Sequence, residues 1–254
     1  MRFNNKNVIL PAPYVQPGPL NDEIWYTSSD GNIVTPYNTS ALPTIVSNTY
    51  VNGKGIIKCA SDITSIRENA FYNCNSLSSV IIPNSVTSIG KLAFCNCNSL
   101  SSATIPNSVK SIGNDAFSNC SNLSSVTIPI SVTSIGTYAF RDCISLASVT
   151  IPDSVTSIGK AAFYNCNKLT NVSIGNGLTS INKLTFNNCD SLATVIIGNS
   201  VTSIEKFAFG YCGSLRNISY EDTITRWNAI TKVARWNDGV PATVVHCTDG
   251  DTSI

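Results

Sequence analysis

Residues 77–99 read LSSVIIPNSVTSIGKLAFCNCNS, and the same 23-residue phrase recurs along most of the chain. Phe71, Phe94, Phe117, Phe140, Phe163, Phe186 and Phe209 follow one another at that interval without an insertion or deletion. Five residues before each lies Ile66, Ile89, Ile112, Ile135, Ile158, Ile181 or Ile204. Three residues after each lies Cys74, Cys97, Cys120, Cys143, Cys166, Cys189 or Cys212, and six after lies Leu77, Leu100, Leu123, Leu146, Leu169, Leu192 or Leu215. A fixed period of this length is the signature of a solenoid, in which each unit is one coil and cannot bury its apolar edge alone.

Within one coil, Leu77, Val80 and Ile82 have the L-x-x-L-x-L spacing of a leucine-rich-repeat strand. Val80 and Ile82 point to one face and into the core. Pro83 has no N–H for a ladder and ends the strand. Val86 and Ile89 turn inward on the next side. Gly90, Gly113, Gly136 and Gly159 allow a tight corner there, where other coils carry Arg67, Asn182 and Glu205. Ala93 and Phe94 are expected in a short helical or 3-10 turn whose ring plugs the coil, and Cys97 closes it.

The phrase IPNSVTSIGKLAFCNCNSL, residues 82–100, resembles the BspA-like, or treponemal-type, class of leucine-rich repeats, and the resemblance covers about residues 55–220. It implies a right-handed leucine-rich-repeat solenoid with a parallel sheet on one face, here of seven coils. It further implies a surface or secreted protein of a host-associated microbe, adhering to a protein or glycan partner on a host or bacterial surface. Ser85 stands near the place where more familiar leucine-rich repeats carry Asn.

The strand face is the expected ligand surface, because the sheets of solenoids are extended binding surfaces. Its outward positions are Ser79 and Ile81, Ser102 and Thr104, Ser125 and Thr127, Ser148 and Thr150, Asn171 and Ser173, Thr194 and Ile196, then Asn217 and Ser219. This reads as a flat field of small side chains without aromatic anchors, and Ser and Thr also simply suit an exposed strand. Tyr72, Tyr138, Tyr164 and Tyr211, on the turns, are rival contact points. The residue before each ladder Cys is Asn73, Asn96, Asn119, Asp142, Asn165, Asn188 or Tyr211. That row either contacts a glycan or, the favoured reading, satisfies backbone groups at a tight turn.

Ten cysteines without a CxxC pair match no zinc spacing. Buried free thiols are favoured over disulfides, since stacked Cβ vectors point the same way rather than toward each other. Cys95, beside the ladder, is expected to face outward as a reactive thiol. No catalytic residue, metal site or cofactor is expected. His246 is the sole histidine, and a hydrolase built on it is the weakest reading. Asp30, Asp249 and Asp251 read as turn residues rather than calcium ligands, because the full loop pattern is absent.

Residues 1–54 are expected to form an extension and hairpin cap, 55–220 the solenoid and 221–254 a helix-plus-strand cap. Two N-terminal hairpins are predicted. The first joins Ile24–Thr27 to Asn32–Tyr37. The second turns at Asn52-Gly53, and its residues 55–60 form the strand of an incomplete coil. Thr223 to Arg235 is expected as a helix capped by Asp222, followed by a final strand in ATVVHC. Charged residues are only 12% and net charge is +1, which provides no footprint for nucleic acid. No apolar run approaches the ~18 residues of a membrane helix, so membrane insertion is not expected. Three prolines from Pro11 to Pro17 interrupt the first apolar stretch, which therefore does not read as a signal peptide. That keeps a cytoplasmic or virion-associated display protein as the alternative.

Overall fold

A computed structural model describes residues 18–254; the Pro- and Asn-rich stretch before Gly18 lies outside the described residues. The chain is a parallel β-solenoid of about eight turns. Its widest face holds the strands Leu77–Ile81, Ser102–Thr104, Ser125–Val126, Ser148–Ile151, Asn171–Ile174, Thr194–Ile197 and Asn217–Tyr220. Register is kept to the residue: Ser79 faces Ser102, and Ile174 faces Ile197. A second face holds two-residue strands, from Ser65–Ile66 to Ser203–Ile204. The third side is a column of turns.

Each ladder has its own physical reason. The Phe rings are fully buried and stack at 5.1–5.5 Å between centroids, tilted by no more than 9°. From Cys97 to Cys212 each ladder thiol donates to the Phe carbonyl of the preceding coil at 3.0–3.3 Å. The cysteines are free and serve as small buried donors. Ser85 does the work expected of an Asn: its hydroxyl donates to the Ile63 carbonyl at 2.8 Å, and Ser108, Ser131 and Ser154 repeat the bond to Val86, Val109 and Val132.

The corner glycines are required by contact rather than by φ. A Cβ on Gly136 would lie 2.5 Å from the backbone of Gly113 and Asn114. In the coils up to Gly159 the N–H here bonds the Ile carbonyl below, as Gly136 N does to Ile112 O at 2.8 Å. Where Asn182 replaces glycine, its side-chain Nδ2 reaches Ile158 O instead, at 2.6 Å. There the narrow sheet breaks, between Ser157–Ile158 and Ser180–Ile181. The wide sheet breaks elsewhere, between Ser125–Val126 and Ser148–Ile151.

The expected helical turn at Ala93–Phe94 is a run of tight turns instead. Two residues per coil take left-handed φ: the one before the ladder Cys, such as Asn96 at 62°, and the one two before Phe, such as Leu92 at 56°. Asn tolerates this conformation because its short side chain bonds locally, which accounts for the amide row. The row also bonds along the axis, Asn96 Nδ2 to Asn73 Oδ1 at 2.8 Å and Asn119 Nδ2 to Asn96 Oδ1 at 2.9 Å. Phe94 N donates to Ala116 O at 2.8 Å, so this side too is a ladder between coils.

The N-terminal end departs from expectation. Strand β1, Glu23–Ser28, forms no hairpin with 32–37. It pairs antiparallel with both β3, Lys54–Cys59, and the first coil strand. The strand at 55–60 is therefore one place removed from the stack, with β1 in the slot between. A seven-residue strand β2, Ile45–Val51, completes the predicted hairpin, with Asn52 and Gly53 at positive φ in its turn. An open sheet edge takes whichever strand satisfies its free backbone groups, and β1 offers Ile24 and Tyr26 to the core while doing so.

At the other end the helix is half the expected length: α1 spans Ile224–Ala229, and its N-cap is Thr223, which accepts from Arg226 N. Thr231–Lys232 then pairs with Ser203–Ile204, so coil geometry overrides helical periodicity. The result is a closing turn in which Trp236 lies 27 residues after Phe209 and takes the place of a ladder Phe. Its ring meets Phe209 edge-on at 6.1 Å and is backed by Trp227. Val244–Cys247 adds to the wide sheet, and Gly250–Ser253 folds back on it.

Candidate interaction surface

All twelve strand-face positions point away from the core. Ser102, Thr104, Ser125, Thr127, Ser148, Thr150 and Asn171 are exposed, and Ser79, Ile81, Ser173, Thr194 and Ile196 are half-buried. Their rows run along the axis because each coil repeats the register of the last. The face is not flat, however. Where the wide sheet breaks, Ser125, Thr127, Ser148 and Thr150 line a concavity of about 240 Å³. At the nearby edge, a broader open hollow of about 600 Å³ is bordered by Thr150, Ser173, Asp153 and Ile130, whose side chain is 79% exposed.

The face is also longer than the coils alone. Thr27 and Trp25 of β1 stand beside Ser79 and Ile81, and Ser219 stands beside His246. An aromatic anchor is thus present, contrary to expectation. Sequence reasoning missed it because Trp25 lies some fifty residues from its neighbours on the face. The alternation of Ile24 and Tyr26 with Trp25 was the available signal.

On the turn side, Tyr138, Arg141, Asp142 and Tyr164 border a concavity of about 440 Å³. Arg141 is bound to Asp142 at 2.7 Å and sits over the Tyr138 ring. Tyr72 packs edge-on against Tyr37, while Tyr211 is half exposed. These tyrosines belong to four different coils, from the first to the seventh, and converge less than the strand rows do.

His246 Nδ1 lies 2.8 Å from Asp251 Oδ1, at the exposed end of the wide sheet. Asp249 accepts from Ile224 N at 2.8 Å, anchoring the start of α1, and Asp30 accepts from Asn32 N at 2.9 Å in a turn. The Ser28 hydroxyl and that N–H hold the Asp30 carboxyl below its ordinary range. Among the described residues no cluster of His, Cys, Asp and Glu is arranged to hold a metal.

Cys95 is buried, not outward: only 6% of it is exposed. Burial pushes its thiol up to about 11, as it does that of Cys74, and drives Cys97, Cys120, Cys143, Cys166 and Cys189 further above the ordinary range. The unfolded chain releases thiol protons near ~8.5. Stability is therefore fully present below that pH and is lost as pH rises toward the folded values. In reducing buffer, the melting temperature should hold level from about pH 7 to 8 and fall steeply above about 9. A level profile to about pH 10.5 would contradict the burial of these thiols.

Comparison with known proteins agrees with this architecture. The profile of the BspA type leucine-rich repeat region matches in six copies, over residues 44–143 and 112–231. A leucine-rich-repeat protein of T. pallidum is 32% identical, with a TM-score of 0.58 over 61% of this chain and 73% of that one. One from Bacteroides ovatus is 25% identical, with a TM-score of 0.56 over 83% of this chain and 64% of that one. No curated protein matches the chain. With its repeat phrase, its ladders and more than half its length matched, the chain belongs to the BspA-type leucine-rich-repeat family.

Proposed function

We propose that the chain is a non-enzymatic adhesion module that holds a protein or glycan of a host or bacterial surface across its strand face. The observation that carries this reading is the face itself: parallel rows of outward, mostly hydroxyl and amide side chains, register-locked from Ser79 to Ser125 and again from Ser148 to Ser219. Such side chains offer both donors and acceptors, and rows of weak contacts gain avidity from repetition. A leucine-rich-repeat solenoid generally acts as a protein-interaction scaffold, and family membership supports a surface setting. Among the described residues no helix is long and apolar enough to cross a membrane.

The test is capture of host-matrix proteins and bacterial surfaces by immobilised protein, compared with a variant carrying Thr104→Lys, Thr127→Lys and Thr150→Lys. These side chains are exposed, so the fold should survive, while capture should fall by about tenfold or more. Failure of the wild type to capture any of these surfaces would sink the proposal. Full capture by the folded variant would move the contact off the strand face.

A further inference from the structure

Strand β1 places an indole at the N-terminal edge of the hydroxyl field. Trp25 stands between Ile56 and Ile81 and is half-buried. Its Nε1 donates to Glu23 Oε2 at 3.0 Å, while the other Glu23 oxygen accepts from Lys58 Nζ at 3.4 Å. Lys58 also pairs with Asp22 at 3.1 Å. Both oxygens of Glu23 are therefore committed, and the indole is held in place.

Lys54 stands differently. Its ammonium lies 3.1 Å from the centroid of the Trp25 ring, and among the described residues it makes no ion pair with a carboxylate. Trp25, Lys54, Thr27, Ser79 and Ile81 line a concavity of about 200 Å³, with the Thr27 and Ser79 hydroxyls 2.6 Å apart.

We propose that this corner is a carbohydrate subsite that selects an acidic sugar residue, which deepens and rests on the reading of the strand face as adhesive. A sugar ring has an apolar C–H face that fits an indole and hydroxyls that match the Thr27 and Ser79 side chains. A carboxylate on that ring is the partner Lys54 lacks. A cation resting on an aromatic face is held modestly, whereas a charge-assisted bond to a carboxylate is stronger, so the incoming acid draws the ammonium aside and bares the ring. The concavity is smaller than the ~300–1,000 Å³ of sites that enclose a whole ligand. It fits the terminal residue of a glycan whose remainder lies along the serine and threonine rows. A peptide adding as a strand is disfavoured here, because β1 is paired on both edges and offers no free backbone ladder.

The test uses the full chain labelled with ¹⁵N and follows its indole N–H resonances during titration with sialyllactose, a hyaluronan tetrasaccharide and neutral lactose. The chain has three tryptophans, and Trp227 and Trp236 are only 1% and 6% exposed, so one resonance should move, assigned by its loss in Trp25→Phe. At least one acidic sugar should bind about tenfold more tightly than lactose. Lys54→Gln should bring the two within about twofold while lactose binding stays the same. No indole shift with either acidic sugar, affinity equal to that for lactose, or an acid preference that survives Lys54→Gln would each overturn the subsite. If surfaces are still captured through Thr104, Thr127 and Thr150 while the indole stays still, the sugar subsite falls and the adhesive reading stands.

Discussion

Replacement of Phe140 by alanine should destabilise the protein by ~3–5 kcal/mol, the range for removing a buried aromatic. Phe140 is fully buried and lies between Phe117 at 5.3 Å and Phe163 at 5.1 Å. The cost belongs at the upper end of that range because the void cannot collapse. Coil spacing is set on all sides by bonds the substitution leaves in place, among them Phe140 N to Ala162 O at 2.8 Å and Cys166 Sγ to Phe140 O at 3.2 Å. The rings above and below thus keep their positions and lose their contacts. Urea denaturation monitored by two probes would measure the effect, since a weakened centre can also separate the transitions of the two halves of a solenoid. A loss below about 1 kcal/mol would remove the Phe ladder from the core.

Gly159→Ala should be nearly as damaging despite adding a single carbon. The new Cβ would meet Thr137 N at 2.2 Å and Gly136 C at 2.5 Å, both backbone atoms of the coil below. Overpacking of this kind typically costs ~1–3 kcal/mol, and the upper end applies where the obstacle is main chain rather than a flexible side chain. Elsewhere the same exchange often stabilises by ~0.4–1 kcal/mol through the unfolded chain. Gly213 is the control: a Cβ there meets nothing within 4 Å. Gly213→Ala should leave the melting temperature unchanged or slightly raised, while Gly159→Ala lowers it by several degrees. Equal melting temperatures would mean that the coils can shift apart at little cost.

The seven coils were legible because every ladder position appears seven times, and stacking turns each repeat into a requirement. The Asn row could be placed at a tight turn, since Asn is a residue that a left-handed turn admits, but its side chains bond one another along the axis rather than backbone groups. The ends were less legible. The 23-residue period constrains the pairing of coil with coil and says nothing about which strand fills an open edge. The insertion of β1 beside Leu77–Ile81, and with it the place of Trp25, therefore left no periodic trace. At the other end, Ile224, Trp227, Ile230 and Val233 have helical spacing, but pairing of Thr231–Lys232 with the coil below wins after Ala229. Cys95 was misread for a local reason: the position after Phe is sheltered by its neighbours along the axis, where Ser118 and Asn187 are buried as well.

The seven equal coils between two dissimilar ends have a consequence for how such a gene can change. Because the interior coils share the Phe, Ile, Cys and Leu ladders, unequal recombination can add or delete whole units while those ladders stay in register. Length then varies in discrete steps, while β1 and Trp236 continue to find the partners they have now. A mutational slip of any other size would shift the ladders beyond it out of alignment. The breadth of the hydroxyl field is thus the quantity that gain or loss of whole units alters without touching either closing structure.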